Sequence, residues 1–251
     1  GYTALGLIGD TTVLMMAMIL ASPNVVSMLL KYGANAMCVD ARGGDSVMYA
    51  ASFGRSDNLE LWLSEFPTWK LSRGVKINGS TALHCAVYFG RNKLKTVQRL
   101  IESGADLFLR NESGTSILIN IANNEDSEPS VLRYVLRVLK TAHTKMSPIV
   151  ELNYRRKAKT MKWKGIHTVA KILHRLSLSK SGLVEVLSRD PGESALNHAV
   201  FRGDIEIVNI LLENGADPWV ENDLGMNAFD TCKKFGPFPR IRNALEKYRG
   251  E

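Results

Sequence analysis

The chain has 251 residues, 45% of them hydrophobic and 23% charged, with 20 Gly and 8 Pro, the composition of an ordinary folded protein of one large or two small domains. This excludes a collagen-like, a disordered or a disulfide-scaffold chain. The 32 Lys and Arg against 25 Asp and Glu give a net charge of +7, which keeps acidic partners open.

Three cysteines (Cys38, Cys85 and Cys232) are an odd number without CxxC spacing. They point to a reducing compartment and away from a disulfide framework or a zinc site. The most apolar stretch, Val13 to Ala21, is far short of the ~20 residues of a spanning helix and lacks the basic start of a signal peptide. The expectation is a chain without a transmembrane segment, cytoplasmic or nuclear. Because it opens on Gly1 rather than Met, it reads as a piece of something longer.

Self-comparison organises the rest. In chain order, a first copy of a repeating unit is centred on Thr12-Val13-Leu14, where Met15, Met16, Met18, Ile19 and Leu20 make a poor polar cap and suggest a cut within a longer array. A second copy runs from Gly43 to Gly54, a third from Gly79 to Gly90, and a weaker fourth opens at Gly114. A strong copy follows from Gly192 to Gly203, and a weak one opens at Gly225. The strong copies carry a small pair (Ala50-Ala51, Ala86-Val87, Ala199-Val200) three residues before the closing Gly.

Aligned at one polar position, the copies fall at Thr12, Asp45, Thr81, Ser116, Ser194 and Asn227, in steps of 33, 36, 35, 78 and 33 residues. After the first short segment, Leu94, Val97, Leu100 and Ile101 recur at i, i+3, i+6 and i+7, as do Leu132, Val135, Val138 and Leu139, and Ile205, Val208, Leu211 and Leu212. That spacing puts one apolar stripe along a helix. Gly33, Gly104 and Gly215, each followed by Ala-Asn or Ala-Asp, end three of these helices, since Gly reaches the left-handed conformation without steric cost. Ile241 to Tyr248 reads as a polar closing helix.

Turn, short helix, longer helix and Gly stop, with Thr81-Ala-Leu-His84, Gly104-Ala-Asp106, Ser194-Ala-Leu196 and Gly215-Ala-Asp217, closely resemble the ankyrin repeat family over about 200 residues. The resemblance implies an all-α ankyrin-repeat solenoid of stacked helix-turn-helix units with hairpin-like loops, about six to seven repeats. The family's Pro is absent from every copy and only His84 keeps its His, so the array is divergent. The resemblance also implies that the His84 imidazole hydrogen-bonds backbone and ties adjacent units. The expected layout is N-terminal repeats over 1–140, a basic irregular insert or degenerate repeat over 141–190, and C-terminal repeats with the closing helix over 191–251.

The 78-residue step leaves room for that degenerate repeat, with a first helix over Trp163 to Leu176 and a second over Leu183 to Leu187. Charge concentrates there. From Lys140 to Arg189, twelve basic minus two acidic residues give +10, which leaves −3 for the remainder. The run Arg155, Arg156, Lys157, Lys159, Lys162, Trp163 and Lys164 stays open between a nuclear-import signal, a patch for nucleic acid, phosphoinositide or an acidic protein, and a solvated loop anchored by its Trp. Mutual repulsion of like charges suggests that this segment is dispensable for folding.

No glycine-rich phosphate loop follows a strand, and neither HExxH nor Gly-x-Ser-x-Gly occurs. Cys85 follows His84, but neighbours on a helix point in different directions and make no nucleophile–base pair. The sequence therefore reads as non-catalytic, with no cofactor and no metal.

In an ankyrin-like unit the loop tip and the exposed end of the first helix share the concave side. By alignment the tips carry Arg42, Ile77, Asn78, Glu112, Asp223 and Leu224, and the helix ends carry Phe53, Tyr88, Phe89, Phe201 and Arg202. Phe53, Phe89 and Phe235 stand just before closing glycines, either as packing between units or as contact rings. The function expected is a scaffold or adaptor module of a larger intracellular protein, monomeric within its chain or complex, gripping proteins on that face. Binding of an anionic surface through the basic 155–180 segment and a regulatory role beside an enzyme or channel are the alternatives.

Overall fold

The computed structural model describes residues 9–90, 93–141, 148–176, 181, 187–188 and 190–248. It divides into two compact units, 1–111 and 112–251. Among the described residues every regular element is a helix, beyond one isolated β-bridge between Gly74 and Thr81.

All six aligned polar positions cap helices. Thr12, Asp45, Ser116 and Ser194 each accept the backbone N–H three residues on, and Asn227 accepts those two and three residues on. Thr81 pairs instead with the His84 ring. These caps satisfy amides that a helix start leaves without partners, which is why short helices begin where the repeat aligns.

In the first unit, α1 (Val13–Leu20), α3 (Ser46–Ser52) and α5 (Ala82–Phe89) pack in one row. Their partners α2 (Pro23–Lys31), α4 (Ser56–Glu65) and α6 (Lys93–Glu102) pack in a second. The small pairs explain the close row: Ala50, Ala51, Ala86 and Val87 are buried, and short side chains let helices approach. Trp62 fills the outer layer, with its ring 5.0 Å from Phe66 and 5.2 Å from Trp69. The glycine stops behave as their type demands, with φ of +87° at Gly33 and +89° at Gly104.

In the second unit, α7 (Ile117–Ala122), α11 (Ala195–Arg202) and α13 (Ala228–Phe235) form one row. The other row is α8 (Pro129–Thr141), α12 (Ile205–Glu213) and α14 (Pro239–Glu246). Gly215 ends α12 at φ +95°. The closing helix buries Ile241, Ala244 and Leu245. Among the described residues each unit thus stacks three helix pairs, the all-α repeat architecture that the sequence implies.

The 78-residue step resolves differently from a seventh stacked pair. The expected helix exists as α10 (Met161–Arg175), capped by Thr160, and a short α9 (Pro148–Leu152) precedes it. Yet α7 packs directly on α11, so α10 lies outside the row. Residues 183–186 of the expected second helix lie outside the described residues.

The chain between α9 and α10 is woven into the loop tips. Arg156 exchanges backbone bonds with Gly192 and Glu193 at 2.9 and 3.0 Å, and the Lys159 N–H donates to Glu112 at 2.8 Å. Its side chains are also committed: Arg156 is buried, bridges Asp190 at 2.7 Å and donates to the Ser113 hydroxyl and carbonyl at 2.8 and 3.2 Å. Dispensability of this segment, expected from its charge, does not fit a buried arginine that joins two loops. Repulsion between like charges is outweighed locally because one of them has a carboxylate and two oxygens around it.

Candidate functional site

The first unit encloses a groove of about 270 Å³ on the side of its inner helices. Met16 and Ile19 of α1, Met48, Tyr49 and Ser52 of α3, and Cys85 and Phe89 of α5 form its floor and one wall. The loop before α3 adds Asp40, Arg42 and Gly44, and the loop before α5 adds Val75, Ile77, Asn78 and Ser80. Phe53, the residue that ends α3, completes the lining.

Five residues expected on the concave side (Arg42, Phe53, Ile77, Asn78 and Phe89) therefore come together. Tyr88 stands beside them, edge-on to Phe89 with ring centroids 4.9 Å apart. The apolar members are open to solvent, at 41% for Phe53, 55% for Ile77, 42% for Tyr88 and 64% for Phe89. Large rings left this exposed together are what a contact surface presents rather than a core.

Polar groups inside the groove are tied down. Asp40 accepts the Arg42 and Gly44 amides at 2.8 and 2.7 Å through one oxygen and the Tyr49 hydroxyl at 2.9 Å through the other. Burial first, then the Asp40 carboxylate, push the Tyr49 phenol above its ordinary range, so it stays protonated as the donor. Burial likewise pushes the Cys85 thiol up to about 11, which keeps it neutral and a poor nucleophile at pH 7. Cys85 here is groove floor.

The second unit treats its equivalents differently. Phe201 packs edge-on against Phe235 at 4.9 Å, and Arg202 donates to the Asn123 carbonyl at 3.2 Å, so these side chains join neighbouring pairs. Asp223 is ion-paired with Arg155 at 3.2 Å and with Lys171 at 2.8 Å, bringing together two residues expected on separate surfaces. Leu224 is 40% exposed, and Glu112 is half-buried with its carbonyl engaged by Lys159. Lys157, Lys159, Lys162 and Lys164 are exposed, Trp163 is half-buried, and Arg156 faces away from solvent. His167 is buried beside them, and desolvation with the Arg156 charge holds its ring below the usual histidine range.

His84 is 1% exposed and its Nδ1 sits 2.9 Å from the Thr81 hydroxyl and 3.4 Å from the Thr81 amide. The ring closes the turn that starts α5. Asn197, at the equivalent place, donates to the Val220 carbonyl at 3.2 Å and thereby reaches the next loop. Among the described residues no group of His, Cys, Asp and Glu is placed to hold a metal ion, and no helix is long and apolar enough to cross a membrane.

Stacked helix pairs, capped at one polar position and stopped by left-handed glycines, with a groove along the inner helices, define a repeat solenoid. The Ankyrin repeat family matches residues 78–112 and 192–223. The chain carries divergent ankyrin repeats at these positions. It is 28% identical over 159 residues to the mitochondrial disaggregase of Bos taurus, an alignment covering 63% of this chain and 22% of that protein. It is 26% identical over 257 residues to the ankyrin repeat and KH domain-containing protein mask-1 of Caenorhabditis elegans, covering 91% of this chain and 9% of that one. The chain thus spans under a quarter of the length of these curated relatives.

Among solved structures, the ankyrin repeat domain of Bcl-3 superposes with a TM-score of 0.62 at 23% identity, covering 98% of this chain and 89% of that one. A chain from the complex of the Bdellovibrio bacteriovorus endopeptidase Bd0816 with its immunity protein Bd3460 gives 0.61 at 21% identity, covering 96% and 100%. At these identities the likeness speaks for the fold.

Proposed function

We propose that the protein is a non-catalytic protein-interaction module that acts as scaffold or adaptor within a larger intracellular protein, and that the groove of the first unit is its partner site. Ankyrin repeats are general protein-binding modules, and one structural neighbour comes from a two-protein complex. The observation that carries the reading is the groove: Ile77, Phe53 and Phe89 are exposed around one cleft whose buried polar groups are already satisfied. Such a surface offers contact area without unpaired buried polar groups to desolvate. The test is to pan a random-peptide phage library on the full chain and on an Ile77→Ala/Tyr88→Ala variant. Peptides retained by the parent and lost by the variant support the reading; equal retention refutes it.

A second reading rests on α10. Its exposed Lys162 and Lys164 follow Met161, which is 80% exposed, and Lys157 and Lys159 lie just before it. This basic, partly apolar surface suits an anionic lipid or nucleic-acid surface. Binding to phosphatidylserine vesicles or single-stranded DNA that falls steeply with salt would favour it over the groove. A regulatory role beside a catalytic domain is the third reading, and the disaggregase relative, much longer than this chain, is compatible with it.

A further inference from the structure

The charge around the groove is one-sided. Its lining holds a single carboxylate, Asp40, and both oxygens of that group are taken by the Arg42 and Gly44 amides and the Tyr49 hydroxyl. Against it stand two cations on adjacent loop tips, Arg42 in the lining and Lys76 next to Val75 and Ile77, both exposed. Among the described residues neither makes an ion pair.

The two tips are held in register. The Lys76 N–H donates to the Arg42 carbonyl at 2.7 Å. Gly43, at φ +81°, brings the backbone against the Lys76 stem so closely that a Cβ there would stand 3.0 Å from its Cγ. The loops therefore fix the bases of two cationic side chains beside the Ile77 and Phe53 surface, with the heads unpartnered. Elsewhere in the same unit cations on the surface do find acids, as Arg99 with Glu60 at 2.9 Å and Arg55 with Asp57 at 2.9 Å.

Resting on the groove as the partner site, we infer that its partner is a peptide segment with an acidic residue close to a bulky apolar anchor. The anchor enters between Phe53, Ile77 and Phe89, and the carboxylate meets Arg42 and Lys76. A partner carboxylate there is doubly attracted, whereas a cationic segment meets two like charges, so the rim selects as well as binds.

The experiment uses a synthetic peptide array in which Leu, Ile, Phe or Met stands at each spacing from one Asp, beside a matched array carrying Asn. Both are probed with the full chain, with Arg42→Gln/Lys76→Gln and with Ile77→Ala/Tyr88→Ala, each checked for unchanged helical content and melting. The Asp series should bind at least fivefold more tightly than the Asn series at one or more spacings, and that preference should vanish in Arg42→Gln/Lys76→Gln. Equal binding of both series, still lost in Ile77→Ala/Tyr88→Ala, overturns the acidic partner and leaves the groove reading intact. Binding indifferent to Ile77→Ala/Tyr88→Ala, or no binding by either series, overturns both.

Discussion

Arg156 and Asp190 meet at 2.7 Å with both side chains about nine-tenths buried, and the same guanidinium reaches Ser113. One arginine in a basic run thus holds two loop tips of the second unit. Removing one member of a buried pair strands the other, which costs about 3–5 kcal/mol. Arg156→Gln should therefore lower unfolding free energy by about 3 kcal/mol in urea melts, and Lys157→Gln, one residue on and exposed, by less than ~0.5 kcal/mol. Equal effects would mean that the pair does not hold the loops.

The glycines divide into two kinds that denaturation should separate. Gly215, at φ +95°, has open space where a Cβ would stand, so Gly215→Ala bears only the left-handed backbone cost of about 1 kcal/mol. Gly192, at φ +82°, has the Asp223 amide nitrogen 2.6 Å from that position, and its own N–H donates to Arg156. Gly192→Ala should cost at least ~1 kcal/mol beyond Gly215→Ala, since the loop tip must move as well. Both lie in the second unit, and the reverse order in guanidinium melts would contradict the packing described.

Cys85 gives the chain an alkaline weakness. Its thiol ionises near 9.0 when unfolded and near 11 when folded, because burial disfavours the thiolate. Between those values the unfolded chain has given up a proton that the folded one keeps, so stability falls as pH rises and is undiminished below about 9. Cys85→Ala should flatten that part of a stability-versus-pH curve. An unchanged slope would show that the thiol ionises alike in both states.

Much of the fold is legible in the residues. The six aligned positions at Thr12, Asp45, Thr81, Ser116, Ser194 and Asn227 are all helix caps, because the same short polar side chain is needed wherever a helix starts. The floor of the groove is written in the same spacing. Met16, Tyr49 and Cys85 stand four residues after their caps, and Phe53 and Phe89 eight after, so helical periodicity aims them at one side.

The insert was harder to read. Thr160 precedes Ser194 by 34 residues and caps α10, which marks a repeat-like start, yet α7 packs on α11 without it. Nothing local separates Arg156 from its basic neighbours. Its burial comes from Ser113 and Asp190, 43 and 34 residues away, and the charge pattern of the run carries no trace of them.

At the groove of the first unit, Ile77 and Tyr88 are the most informative pair, since both are exposed and neither belongs to the buried core. The direct measurement is the affinity, by fluorescence anisotropy, of peptides selected on the intact chain. It is taken for the parent, for Ile77→Ala/Tyr88→Ala, and for a variant with Lys157, Lys159, Lys162 and Lys164 changed to Gln. The expected result is a loss of about 2 kcal/mol in the groove variant, near thirtyfold, with melting preserved, and less than a twofold change in the lysine variant. Undiminished affinity in the groove variant, together with loss in the lysine variant, would contradict it and move the working surface to α10.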